Sequence, residues 1–272
     1  MYEELALQQA GEIRQRQPVD ASAAKQPRIH LVEEQLPDAV MGRRSYLELR
    51  LEIERHCFSR EHSPVNVDRL SKDLYYRVGK RLIDLVGASA LLLLTGPLFI
   101  AVAAAIRLQG DGPVFFVQQR TGRFGRRFSM YKFRTMVPNA EELKESLRKH
   151  NVHGDDSPDF KIIEDPRVTR IGSFLRRTSL DELPNLINVL KGDMSLVGPR
   201  PTSFHAVTYH SSHLPRLAGK PGITGLWQVS GRANIGFDER AELDVEYLNS
   251  VSLLSDIRLL LATVRGARDG AY

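Results

Sequence analysis

From Leu85 to Ile106 the chain reads LVGASALLLLTGPLFIAVAAAI, without one charged residue. About 20 apolar residues are enough for a helix to cross the hydrocarbon core of a membrane. Gly96-Pro97, however, sits inside this run. Proline removes a backbone donor and clashes with the carbonyl four residues back, so a kink is expected there. The flanks add a second constraint: Lys80 and Arg81 precede the run, and Arg107, Arg120, Arg123, Arg126 and Arg127 follow it. Basic residues favour the cytoplasmic side, so both ends belong on one face. A helix that enters, bends at Pro97 and returns meets that demand. Its halves, roughly 15–20 Å each, are too short to cross alone. A kinked full span and a buried core helix are the other arrangements open to this segment. A bend leaves backbone groups around Leu93–Pro97 without partners in lipid, and the Thr95 hydroxyl can satisfy one.

The charge balance suits a membrane surface. Lys+Arg 38 against Asp+Glu 33 gives +5 and a pI near 9.4, which favours phosphate-bearing small molecules, anionic headgroups or nucleic acid. No nucleic-acid module is recognisable, and such a role leaves the lipid-length segment unexplained, so no nucleic-acid partner is expected. Cys57 is the single cysteine, which excludes an intrachain disulfide framework and fits a reducing compartment. Met1–Gln17 is polar and lacks the apolar core of a signal peptide. Residues 1–76 read as an N-terminal extension of unknown function. Its stretch QQAGEIRQRQPVDASAAKQPRIH has the composition of a mobile arm. In Tyr46–Glu54 (YLELRLEIE) the alternation says strand and the composition says helix.

Beyond the apolar run, GPVFFVQQRTGRFGRRFSMYKFRTM reads as short strands around a turn at Gly122–Gly125. There is no dinucleotide fingerprint and no phosphate loop. Asn139–His150 is a charged amphipathic helix with Asn139 as its N-cap. Two more helices are predicted over about Asp238–Leu248 and Leu253–Arg265.

The chemistry-bearing stretch is RRTSLDELPN, Arg176 to Asn185. Leu183, Leu186, Ile187 and Leu190 recur at helical spacing, and Lys191-Gly192 ends that helix. Its start lies near Ser179 or Asp181. Ser179 with Glu182 fits a Ser-x-x-Glu capping box, but Pro184 sits better if Asp181 is the cap. Either way, two adjacent carboxylates stand at a helix N-terminus, available as caps or as nucleophile and metal ligand. Arg167, Arg170, Arg176, Arg177 and Arg200 surround them, and arginine forks bind phosphate bidentately. The stiff Gly198-Pro199-Arg200-Pro201 follows. Carboxylates, arginines and a membrane segment together suggest phosphate chemistry at a lipid interface.

Three stretches, in order, carry a resemblance: KRLIDLVGASALLLLTGPLFIAVAAAIRLQGDGPVFFVQQRTGRFGRRFSMYKFRTM, TSLDELPNLINVLKGDMSLVGPRP and KPGITGLWQVSGR. From about Lys80 to Arg265 the chain resembles the bacterial sugar transferases known as monotopic polyprenyl-phosphate phosphoglycosyl transferases. The resemblance implies transfer of a sugar 1-phosphate from a UDP-sugar to undecaprenyl phosphate, with release of UMP. Such a step initiates exopolysaccharide, O-antigen, capsule or glycan assembly. It also implies the bacterial inner membrane, with the catalytic domain on the cytoplasmic face and in contact with membrane lipids.

Carried onto this chain, the resemblance makes Asp181 the nucleophile of a covalent phosphosugar intermediate. Glu182 becomes a holder of Mg²⁺. Lys132, Arg134, Arg200 and Pro201 are implied to contact phosphate or nucleotide, with Arg176 and Arg177 as further candidates. Gly96 and Pro97 are the break in the membrane helix. The chain departs from the family in two places: Gly96-Pro97 stands where Ser-Pro is commoner, and NSVSLLSDI lacks the aromatics often found there. A catalytically silent membrane anchor or scaffold is the alternative function, against which the intact Asp181-Glu182 pair argues. The fold expected is α+β, mostly α-helical with small β elements. It is monotopic, with a re-entrant helix over about 82–106 inside a catalytic domain spanning 77–272. Homo-oligomerisation through helices of the arm or the C-terminus stays open, as does the identity of the sugar.

Overall fold

The computed structural model describes residues 51, 65, 67–151, 162–230 and 235–268. Cys57, the polar arm and, apart from Leu51, the ambiguous stretch Tyr46–Glu54 lie outside them. The described chain is mostly helical with two small sheets. Helix α1 (Val67–Lys72) is followed by a π-turn at Tyr75–Gly79 and then α2 (Lys80–Leu108). The hairpin β1 (Phe115–Thr121) and β2 (Arg127–Phe133) precedes α3 (Ala140–Ser146), α4 (Arg170–Arg177) and α5 (Asn185–Lys191). Strands β3 (Ser195–Val197) and β4 (Gly222–Thr224) pair in parallel, and α6 (Leu226–Val229), α7 (Phe237–Ser250) and α8 (Leu253–Arg268) complete the order.

The apolar run forms a single helix of 29 residues, with Pro97 inside it. The expected break is therefore a proline within a helix, not a junction between two helices. Proline 97 leaves the Leu93 carbonyl without its usual donor. The Thr95 hydroxyl does not relieve this loss: it donates to the Leu91 carbonyl at 2.6 Å, one turn earlier. Such back-bonding tends to bend helices. From Tyr75 to Leu108 the segment is long and apolar enough to cross a membrane, and 11% of its apolar window is buried. That low burial rules out the core-helix reading. Leu93 and Leu94 are 82% and 80% exposed, whereas Ala88 and Ile106 on either side are 0% and 1% exposed.

Both ends of α2 are fastened to the same body. Near its start, Lys80 donates to Asp256 at 2.5 Å and to the Tyr247 hydroxyl at 3.0 Å. Asp84 accepts from the Leu196 backbone and from Ser195, each at 2.9 Å. Ala88 enters the main core with Met130, Leu186, Val189, Leu196 and Leu248. Full burial of an aliphatic or thioether side chain of this size is worth roughly 1.5–3 kcal/mol. Near the other end, Val102 and Ile106 join Phe133 and Leu175 in a second cluster, and Leu183 touches both. The Phe99 ring of α2 meets Phe133 at 4.7 Å and Phe115 at 5.9 Å in tilted contacts, so three rings clamp the helix to the hairpin.

The hairpin forms in the expected place, with Phe124 and Gly125 at positive φ in its turn. Asn139 precedes α3, but its side chain makes no cap and the helix ends at Ser146, short of His150. Helices α7 and α8 contain the two predicted C-terminal stretches. Gly198 and Gly222 let β3 and β4 approach: a Cβ on Gly198 would lie 2.3 Å from the Lys220 carbonyl oxygen. That approach holds Gly198-Pro199-Arg200-Pro201 against β4, through Gly198 N–H to Thr224 and Gly222 N–H to Pro199.

Candidate active site

The acidic pair stands in a 3-10 turn, Leu180–Glu182, ahead of α5. Neither expected cap forms. Ser179 has φ 55 and no side-chain capping bond, and the residue preceding α5 is Pro184. A left-handed conformation costs a non-glycine residue roughly 1–2 kcal/mol, and here it turns the chain sharply out of α4. Glu182 is unavailable for a capping box because cations hold it elsewhere. Lys132 of β2 donates to its Oε1 at 2.7 Å. Arg200 donates to Oε1 at 2.5 Å and to Oε2 at 3.3 Å.

The platform beneath the pair is built from three neighbours. Asn188 of α5 accepts from Tyr131 N–H at 3.0 Å and donates to the Ser129 carbonyl at 2.7 Å, fixing the helix to β2. Arg81 of α2 donates to the Val189 and Leu190 carbonyls at 2.6 and 2.8 Å, completing the C-terminal end of α5. Gly192, at φ 89, closes that end as its sequence position implied. Arg216, buried and paired with Asp244, donates to the Arg200 carbonyl at 2.7 Å and fixes the backbone there.

The two carboxylates are electrostatically unlike. Burial pushes Glu182 up, but Arg200 and Lys132 outweigh it and hold the group well below the usual carboxylate range. Asp181 is buried, and its ion-pair partner is Lys132, with Nζ 3.5 Å from Oδ2. Burial pushes its carboxyl above the ordinary value of 3.8, with Lys132 acting against that shift and Glu182 adding to it. One acid is clamped and permanently charged. Its neighbour has Lys132 as its ion-pair partner, with Arg176 and Arg200 also favouring its ionised form, and its oxygens make no hydrogen bond to a described side chain. The second arrangement suits an attacking group.

The other predicted residues divide. Lys132 and Arg200 converge on Glu182, and Pro201, next to Arg200 in the chain, is buried. Arg176 donates to Thr135 Oγ1 at 3.0 Å and is close enough to Asp181 to favour its ionised form. Arg177 is exposed in the last turn of α4, without contact to the pair among the described residues. Arg134 is placed elsewhere: it donates to the Asp111 carbonyl at 2.6 Å and to the Ile106 carbonyl at 3.3 Å, at and just beyond the C-terminal end of α2. Arg167 pairs with Asp165 at 2.7 Å. Gly96 and Pro97 belong to the helix, not to this site.

Residues 75–269 match the family described as bacterial sugar transferase. The chain belongs to that family. This bacterial sugar transferase is 50% identical over 190 residues to the galactosyl transferase CpsE of Streptococcus agalactiae, covering 69% of this chain and 42% of that protein. It is 44% identical over 198 residues to the undecaprenyl-phosphate galactose phosphotransferase of Salmonella typhimurium, covering 71% and 41%. With the exopolysaccharide production protein ExoY of Rhizobium meliloti it shares 38% identity over 190 residues, covering 69% and 84%. The matched region is thus about two-fifths of the length of the first two relatives.

Magnesium is the cofactor the family implies, and the donor set can be tested against it. Mg²⁺ is commonly held by one or two carboxylates together with substrate phosphates and water. Among the described residues no group of three or more His, Cys, Asp or Glu side chains is arranged for a metal. Glu182 Oε2, whose one contact is the 3.3 Å bond from Arg200, keeps room for a ligand bond. The pair therefore fits an ion that arrives with a diphosphate, not an all-protein cage.

Proposed function

We propose that this chain transfers a sugar 1-phosphate from a UDP-sugar to undecaprenyl phosphate and releases UMP. The intermediate is an aspartyl-phosphosugar on Asp181. The observation that carries the reading is the division of the acidic pair, one carboxylate hydrogen-bonded by Lys132 and Arg200, its neighbour buried with no side-chain hydrogen bond among the described residues and Lys132 as its one ion-pair partner there. Asp181 attacks the sugar-bearing phosphorus, the phosphorus–oxygen bond to UMP breaks, and the lipid phosphate later attacks the same phosphorus and frees Asp181. Lys132 and Arg200 orient phosphate oxygens, and Glu182 keeps both cations in place and offers Oε2 to Mg²⁺. The ion supplies charge neutralisation to the diphosphate. Purified protein given UDP-sugars and undecaprenyl phosphate should release UMP, and excess EDTA should stop that release. Full turnover in EDTA would refute the metal requirement. Donor binding without UMP release in any combination would favour a silent scaffold.

The membrane placement in this reading is re-entrant, at the cytoplasmic face of the inner membrane. It is supported by the basic flanks of α2 and by the way both of its ends pack on one body while Leu93 and Leu94 project outward. After Cys57→Ser, the exposed positions in Ser71→Cys and Gln109→Cys should both resist a membrane-impermeant thiol reagent in intact cells. Labelling of one of them would establish a full span. A Gly96→Leu, Pro97→Leu double change restores a donor and meets no neighbour at Gly96. It is the variant most able to straighten the helix into such a span.

A further inference from the structure

Buried cations in this fold have private carboxylates. Lys80 has Asp256 at 2.5 Å, Arg167 has Asp165 at 2.7 Å, and Arg216 has Asp244 at 2.5 Å. Arg120 of β1, half-buried, has no carboxylate ion pair among the described residues. Its Nε is buried with no acceptor among the described residues. One of its five N–H donors reaches Gln118 Oε1 at 2.5 Å. Its charged neighbours are Arg200, Glu182 and Arg127: two cations, and a carboxylate that Lys132 and Arg200 already hold.

The register of the hairpin sets its direction. Phe116 pairs with Lys132 and Arg120 with Phe128, so Arg120 and Lys132 share one face of the two-stranded sheet. That face carries Lys132 to Glu182. Burial, then the nearby Arg200 and Arg127, push the guanidinium down to about 10, with Glu182 acting the other way. A desolvated cation crowded by other cations is relieved by an added anion.

We infer that Arg120 is a further phosphate-binding side chain of this site, taking an oxygen of the donor diphosphate or of the lipid phosphate. The inference rests on the phosphoglycosyl transfer reading for its ligand. A guanidinium fork matches a phosphate edge through two parallel N–H bonds, and the unpartnered Nε belongs to a side chain on the hairpin face that carries Lys132. Because Arg120 has no carboxylate of its own, its removal leaves no anion buried and unpaired. A structural arginine such as Arg216 would behave in the opposite way.

The test uses the full chain in lipid nanodiscs, as wild type, Arg120→Gln and Arg120→Lys. UDP binding, undecaprenyl phosphate binding and thermal midpoint are measured for each. The glutamine variant should keep its midpoint yet bind one of the two probes about tenfold more weakly or worse, with partial recovery in the lysine variant. Weakened UDP binding assigns Arg120 to the donor diphosphate, and weakened undecaprenyl phosphate binding assigns it to the lipid phosphate. Unchanged affinity for both, or a lowered midpoint with unchanged affinity, overturns the inference. Failure of the transfer reading is separately visible, as wild-type protein that binds UDP but never releases UMP from a UDP-sugar.

Discussion

Asp181→Asn is expected to lower turnover by several orders of magnitude in a protein that remains folded. The amide oxygen is a poor nucleophile and cannot form the phosphosugar ester, whereas a capping role would survive, since asparagine caps about as well as aspartate. Stability should move the other way from activity. Burial raises the Asp181 carboxyl above its ordinary value. A carboxyl raised in the folded state favours folding at low pH, and that contribution is lost as pH rises through the folded value. At neutral pH its ionisation therefore works against the fold, and the neutral variant should melt no lower than wild type. Wild-type protein given a UDP-sugar without lipid acceptor and quenched in acid should carry a sugar-phosphate adduct on the peptide containing Asp181. An active Asp181→Asn protein, or an adduct on another residue, would falsify the assignment.

The neighbouring variant, Glu182→Gln, should also be inactive, but for a different reason and with the opposite effect on stability. Glu182 is depressed because Arg200 and Lys132 overcome the effect of burial. A depressed carboxyl contributes stability above its unfolded value, and the contribution fades as pH falls toward the folded one. At neutral pH it is fully present. Replacing it strands Lys132 and Arg200 beside a neutral amide, a loss of about 1–3 kcal/mol for a partly buried cluster of this kind. Denaturant unfolding in detergent measures the difference. Capping alone would predict almost no change, because glutamine substitutes well in a capping box. A Glu182→Gln protein as stable as wild type would contradict the clamp.

How the sequence relates to this site follows from where each signal lives. The Asp181-Glu182 pair and the stiff Gly198-Pro199-Arg200-Pro201 stand out within short windows by charge and spacing, whereas Lys132 enters only through the family resemblance. The start of α5 was not legible. Ser179 and Glu182 have the spacing of a capping box, yet Glu182 answers to a lysine fifty residues earlier and an arginine eighteen later. Arg134 sits two residues from Lys132, but its carbonyl partners around the C-terminal end of α2 are set by tertiary approach. Asn188 reads as an ordinary polar position in a helix, and its two bonds to β2 have no local signature. Arg120 is one basic residue in a basic stretch. Only the company it keeps distinguishes it.

The fastening of α2 at both ends bears on how this protein comes into being. Without that helix the main core loses Ala88, the second cluster loses Val102 and Ile106, and α5 loses the arginine that closes its C-terminal end. The lipid-facing element is thus also a scaffold strut of the catalytic body. A version trimmed of α2 is therefore expected to lose the platform under Asp181, which circular dichroism of the truncated protein would show. The ribosome releases α2 before β1 through α8, so the strut precedes the partners that complete it. Under the proposed re-entrant placement maturation belongs to the membrane interface, and conditions that disturb lipid packing should reach the reaction centre through the stability of the fold.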